Sequence, residues 1–154
     1  MPTKIDYTGI IKVPVIIAIV VAVARFALEA SGASTVVSMV FGVAWLHMLF
    51  PIYFALQIVE RRYEKPFMTL MKITALWALP VRIVVAISYV LGYVYQINSL
   101  RFQAESGGPI GEGITPVKGY LLLPLANFVS WMVFALVLSA IFGGIALKLK
   151  KRST

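Results

Sequence analysis

Four long apolar runs constrain the fold of this 154-residue chain more than any other feature. A membrane-spanning helix needs about 20 consecutive, mostly apolar residues. In lipid the backbone must satisfy its own hydrogen bonds, so a continuous apolar run of that length forms a helix. The sequence therefore predicts an all-α integral membrane protein. We expect four transmembrane helices in a compact bundle, at residues 13–30, 35–59, 66–95 and 120–147.

The composition agrees with this fold class. The chain is 60% hydrophobic and only 13% charged, whereas soluble domains carry about 25% charged residues. Too few residues remain outside the runs to build a second domain, so we expect a single membrane domain over residues 1–154. The first run carries Arg25 and Glu29 before its end, which a signal peptide would not. We therefore expect it to be retained as a span.

The basic residues predict the orientation. With the N-terminus inside, two basic residues, Arg101 and Lys118, fall outside and nine fall on the cytoplasmic side. This is a strong positive-inside bias, so both termini and residues 60–65 are expected in the cytoplasm of an inner (plasma) membrane. It also accounts for the net charge of +8 without nucleic-acid binding. The nine are Lys4, Lys12, Arg61, Arg62, Lys65, Lys148, Lys150, Lys151 and Arg152.

The predicted outer loop, residues 96–119, is rich in glycine and proline, which favour turns. Its Gly-Gly-Pro-Ile-Gly-Glu-Gly stretch at residues 107–113 does not follow a strand and is not followed by Lys-Ser/Thr. This excludes a phosphate-cradling nucleotide loop. We expect a lid or a surface that docks on a partner.

Three basic residues lie inside the apolar runs, where charge is costly and often functional. Arg25 has Glu29 four residues later on the same helix face, which predicts an ion pair. Lys72 lies two turns into the third run, so its stem can extend to the headgroups.

Arg82 leaves two alternatives open. If residues 66–95 form one helix, Arg82 lies near its centre, at a depth where no span has a carboxylate; a lipid phosphate, an anionic ligand or another chain would then supply the negative charge. If the segment breaks at Pro80, which removes a backbone hydrogen bond, Arg82 lies near the cytoplasmic interface.

His47 is the only histidine and lies at the centre of the second run. Its neutral ring can bond to a neighbouring side chain or carbonyl, take part in substrate passage, or ligate a haem or pigment. We predict no cofactor and no metal site, with haem or pigment ligation by His47 as the alternative.

The remaining chemistry-bearing residues exclude several functions. The chain has no cysteine, which excludes disulfides and thiolate sites. All six carboxylates lie in loops or at the ends of runs, so coupled cation transport and paired-carboxylate hydrolysis are not expected. The six are Asp6, Glu29, Glu60, Glu64, Glu105 and Glu112.

Small residues recur at four-residue spacing in every run, which favours close approach of helix backbones within a bundle or with other proteins. They are Ala18/Ala22, Ser38/Gly42, Ser88/Gly92 and Ala135/Ser139/Gly143.

These observations lead to three functional hypotheses. We expect no catalysis but a structural or accessory subunit of a larger membrane complex, whose partners are membrane lipids and either other membrane-protein subunits or further copies of itself. The second hypothesis is a homo-oligomeric channel or carrier for an anionic or lipidic substrate, lined by Arg82 and His47. The third is a cofactor-binding membrane protein that uses His47.

Overall fold

The computed structural model describes residues 6–152, and within that range its secondary structure is helical with no strand. Lys4 and the side chains of Lys151 and Arg152, which entered the orientation argument, lie outside the described residues. The helices are α1 (Tyr7–Ala30), α2 (Thr35–Val40), α3 (Leu46–Glu60), α4 (Pro66–Val94), α5 (Leu123–Leu138) and α6 (Gly144–Arg152).

Three of the helices are long and apolar enough to cross a membrane, as expected of a membrane protein. They are Tyr7–Ala30, Pro66–Val94 and a C-terminal helix, Lys118–Lys150. The C-terminal helix combines α5 and most of α6 with two π-helical segments, Lys118–Leu122 and Ser139–Gly143. The third predicted span is a single helix that continues through Pro80.

The second predicted span is the main correction to the sequence analysis. We expected one helix over residues 35–59, but the structure divides it into α2 and α3. The backbone leaves the helical conformation at Phe41, and Gly42 N–H donates to the Met39 carbonyl in a tight turn. A Cβ at Gly42 would lie 2.9 Å from that oxygen and 3.4 Å from Arg25 Nη1. Glycine at position 42 therefore suits the tight turn that follows α2, and the apolar pattern does not reveal this turn.

The chain divides into two compact units. The long helices contribute residues to both. Unit 1 comprises Met1–Ala18, Val43–Pro80 and Met132–Thr154, and unit 2 comprises Ile19–Gly42 and Val81–Trp131.

In unit 1, α3 packs against the π-helical segment Ser139–Gly143 and against α6. Gly143 permits this contact, because a Cβ there would lie 2.9 Å from the Pro51 carbonyl oxygen. The buried hydroxyls of Thr74 and Ser139 bond to each other at 2.7 Å, so these two polar groups are satisfied inside an apolar core.

In unit 2, the loop after α4 is more ordered than its glycine and proline content predicts. It contains two 3-10 turns, Leu100–Phe102 and Ala104–Ser106, and a bridge between Gln103 and Ile110. Phe102 is fully buried and packs edge-on against Phe26 and Tyr89, with ring centroids 6.4 and 5.5 Å apart. Phe102 of this loop is therefore part of the hydrophobic core of unit 2.

The small residues at four-residue spacing are used within the chain. All nine of them, from Ala18 to Gly143, are buried. Gly92 is one example: a Cβ there would lie 2.7 Å from the ring of Phe102. The close approach that these residues permit is therefore occupied by the chain's own side chains and backbone.

We expect Gly92→Ala to lower the thermal stability of the detergent-solubilised protein, because the added methyl group would collide with the buried Phe102 ring. Overpacking of this kind costs about 1–3 kcal/mol. Gly144→Ala is the matched control, since its Cβ would meet only Phe67, at 3.9 Å. Alanine is the better helix former, so Gly144→Ala should leave the melting temperature unchanged or raise it. Equal melting temperatures for the two variants would contradict the packing argument.

Candidate functional site

The last turns of α1 place Arg25 and Glu29 on one helix face. Arg25 Nε donates to Glu29 Oε1 at 3.0 Å. Glu29 is only 3% exposed, and a buried carboxylate is stable only when it is paired. Glu29 is therefore the centre of a charged cluster in unit 2.

Arg101, from the 3-10 turn Leu100–Phe102, is the second cation of this cluster. Its Nε lies 2.6 Å from Glu29 Oε2, in an ion pair whose atoms are not aligned as a hydrogen bond. Its Nη2 donates to Ser88 Oγ at 3.2 Å, and its guanidinium lies 4.5 Å from the centroid of the Phe102 ring. Burial lowers the pKa of Arg101, while the Glu29 carboxylate raises it. Arginine remains charged under such conditions.

Sequence reasoning did not identify Arg101 as a site residue, because it assigned this charge to the outer rim. The signal that was present is local. Leu100 and Phe102, two large apolar residues, flank the arginine inside a loop that is rich in glycine and polar residues. Such a segment is more typical of packing than of a solvated turn.

A cavity of about 240 Å³ adjoins the cluster. Its wall combines charge, in Arg25, Glu29 and Arg101, with four hydroxyl side chains and two apolar ones. The hydroxyl residues are Thr35, Ser38, Ser99 and Ser106, and the apolar residues are Met39 and Leu100. We call it the Arg25–Arg101 cavity.

Ser38 is the most informative hydroxyl of this cavity. It is 3% exposed, and among the described residues its Oγ has no hydrogen-bond partner. A buried hydroxyl without a partner costs about 1–3 kcal/mol, so the wall of the cavity contains a donor that is not satisfied by the chain.

Arg82 also belongs to unit 2 and lies within an unbroken α4. It is 3% exposed, and its guanidinium carbon lies 4.6 Å from the centroid of the Trp131 ring. A cation over an indole face is stabilised by the ring quadrupole. Neither Arg82 nor Trp131 lines the Arg25–Arg101 cavity.

His47 and Lys72 belong to unit 1. His47 is fully buried, with its ring centroid 4.8 Å from that of Trp77. Its Nδ1 lies 2.9 Å from the Val43 carbonyl oxygen, which can only accept, so Nδ1 carries the proton. Lys72 is exposed. The predicted site residues therefore divide between the units, with Arg25, Glu29 and Arg82 in unit 2.

The described residues contain no cluster of side chains suited to a metal-binding site. Across residues 6–152, no group of three or more His, Cys, Asp or Glu side chains could hold a metal ion. Comparison with known proteins adds no homologous site: no protein family, curated protein or solved structure matches the chain.

We expect Glu29→Gln to destabilise the protein, because it leaves two arginines close together without their shared carboxylate. Both arginines are partly exposed, which moderates the cost, so we expect about 2 kcal/mol and a lower melting temperature. Glu105→Gln is the control, because it removes an exposed carboxylate from the loop that contains Arg101. It should change the melting temperature little.

A second variant separates the charge effect from the loss of a hydrogen bond. Adding Arg101→Gln to Glu29→Gln removes one of the excess cations, so we expect partial recovery of the melting temperature. Additive destabilisation by the two changes would show that charge balance is not what stabilises the cluster.

Proposed function

We propose that this chain is a multi-pass membrane protein that acts as a non-catalytic structural or accessory subunit of a larger membrane complex. The observation that carries the proposal is the uneven burial of the long helices. Within their most apolar stretches, 50% of the residues are buried in α4 but only 22% in α1 and in the C-terminal helix. Two of the three long helices thus leave most of their apolar surface for lipid or for another protein.

The exposed face of α5 carries two small residues at four-residue spacing, a pattern at which helices associate in membranes. Lipid tails are as apolar as leucine, so helix association depends on close packing at small residues. Ala126 and Ser130 are both exposed and lie four residues apart on α5. Leu125 and Val129 beside them are large and exposed, so the small pair would let a partner helix approach closely.

We further propose four membrane passes with both termini in the cytoplasm. The alternative has three passes, in which residues 35–60 remain on one side, because α3 has 15 residues and extends only about 22 Å. Four passes divide the basic residues outside the runs nine against two, whereas three passes divide them seven against four. The positive-inside rule favours the larger asymmetry.

Single-cysteine labelling tests the number of passes, since the chain has no cysteine of its own. We expect Ser31→Cys and Ser106→Cys to react with an impermeant maleimide in intact cells. Glu64→Cys should react only after permeabilisation. All three positions are exposed, so access depends on the side of the membrane. The unsubstituted chain is the background control. Equal labelling of Ser31→Cys and Glu64→Cys would contradict a crossing by residues 35–60.

Native co-purification tests the proposed role. After mild detergent extraction of the tagged full chain, we expect different membrane proteins at fixed stoichiometry by mass spectrometry. The double substitution Ala126→Leu with Ser130→Leu places large side chains at both small positions and should reduce their recovery at least severalfold. Ala27→Leu, at an exposed alanine on α1, is the matched control. A monodisperse single chain would overturn the proposal, and recovery of further copies alone would favour the homo-oligomeric channel or carrier.

A further inference from the structure

We propose that the Arg25–Arg101 cavity binds a phosphate oxyanion, presented either by a phospholipid headgroup or as free phosphate. The inference is independent of the accessory role proposed above, since it rests on the charges and donors that line one cavity of unit 2.

The exposure of the charged groups favours an anion. The side chain of Glu29 is only 1% exposed, and each of its oxygens lies against one arginine. The side chains of Arg25 and Arg101 are 21% and 14% exposed. The two arginines therefore present more of their side chains to a ligand than the carboxylate does. Two arginines against one carboxylate leave one positive charge for the ligand to balance.

The neutral donors of the wall match the same ligand. Phosphate oxygens accept charge-assisted hydrogen bonds from guanidinium groups and further bonds from hydroxyls. Ser38 lines the same cavity, and its buried Oγ has no partner among the described residues; rotation of this short side chain about χ1 would let the hydroxyl donate to a phosphate oxygen in the cavity. This hydroxyl is an observation separate from the arginine pair, and both point to an acceptor-rich, negatively charged group.

The size and position of the cavity fit a small headgroup. A volume of about 240 Å³ is many times the roughly 10–15 Å³ of such space that one water needs, so a phosphate group has room. The wall includes residues from the C-terminal part of α1, from α2 and from the loop after α4, so the cavity lies close to helix ends. Met39 and Leu100 in the same wall add apolar surface that could contact the glycerol or acyl part of a lipid.

Calorimetric titration of the full chain in phosphate-free detergent tests this inference in two arms. One arm uses inorganic phosphate. The other uses short-chain phosphatidylglycerol, with diacylglycerol of the same chain length as the phosphate-free control. We expect saturable binding at one site per chain in at least one arm. Binding of phosphatidylglycerol alone identifies the lipid headgroup as the source, and binding of inorganic phosphate identifies the free anion.

Three variants locate the site. Arg25→Gln should weaken binding about tenfold, as expected for the loss of a hydrogen bond to a charged group. Ser38→Ala should also weaken binding, while its melting temperature without ligand stays at the wild-type value or rises, because the substitution removes an unsatisfied hydroxyl. Arg61→Gln, at an exposed arginine in the turn after α3, is the control for net charge and should bind like the wild type.

The Ser38→Ala variant keeps the test decisive even if Arg25→Gln fails to fold. Absence of binding in both arms would overturn the inference, as would wild-type affinity in a folded Ser38→Ala or Arg25→Gln protein.

Discussion

The buried carboxylate of Glu29 is the constraint on which unit 2 depends. A carboxylate that is 3% exposed must be paired, and the last three turns of α1 supply one cation, Arg25. The second cation comes from Arg101, so the loop after α4 must fold back against α1. Phe102 enters the core with it, and Gly92 and Gly108 lack side chains where that residue approaches, since a Cβ at Gly108 would overlap the Phe102 backbone. The Glu29–Arg101 ion pair, the buried Phe102 ring and backbone hydrogen bonds within the loop together order a segment that its composition predicts to be irregular.

How far the sequence predicts this site depends on the range of each contact. Arg25 and Glu29 are four residues apart on one helix, so helical periodicity alone brings them together. The contact between Glu29 and Arg101 joins distant parts of the chain, and no periodic pattern encodes it. The positive-inside rule accounts for the charge of Arg101 by its expected side of the membrane. The sequence therefore gives no reason to expect that Arg101 also pairs with Glu29. Ser38 was noted only as a small residue, whereas its hydroxyl is what distinguishes it.

The helices show the same division between local and tertiary causes. Apolar runs predict the three long helices, because length and hydropathy decide whether a helix can span lipid. A break at Pro80 was one of two alternatives, yet Pro80 lies inside α4, while the interruption of a predicted helix falls near Gly42. Neighbouring groups can satisfy the backbone around a proline in a membrane helix. At Gly42 the Met39 carbonyl of the same turn and Arg25 Nη1 leave little room for a side chain, and the contact with Arg25 depends on the packing of unit 2.

Arg25 connects these observations, since it contacts Glu29 and lies close to Gly42, where α2 gives way to α3. The proposed anion would contact both Arg25 and Arg101. A ligand that bridges Arg25 and Arg101 requires the loop to be folded onto α1, so it binds that arrangement and not an open one. By linkage, occupancy stabilises the folded loop in proportion to RT ln(1 + [L]/Kd). In an anionic headgroup layer, where the ligand concentration is high, occupancy of the cavity and folding of the loop after α4 would therefore respond to lipid composition as a single equilibrium.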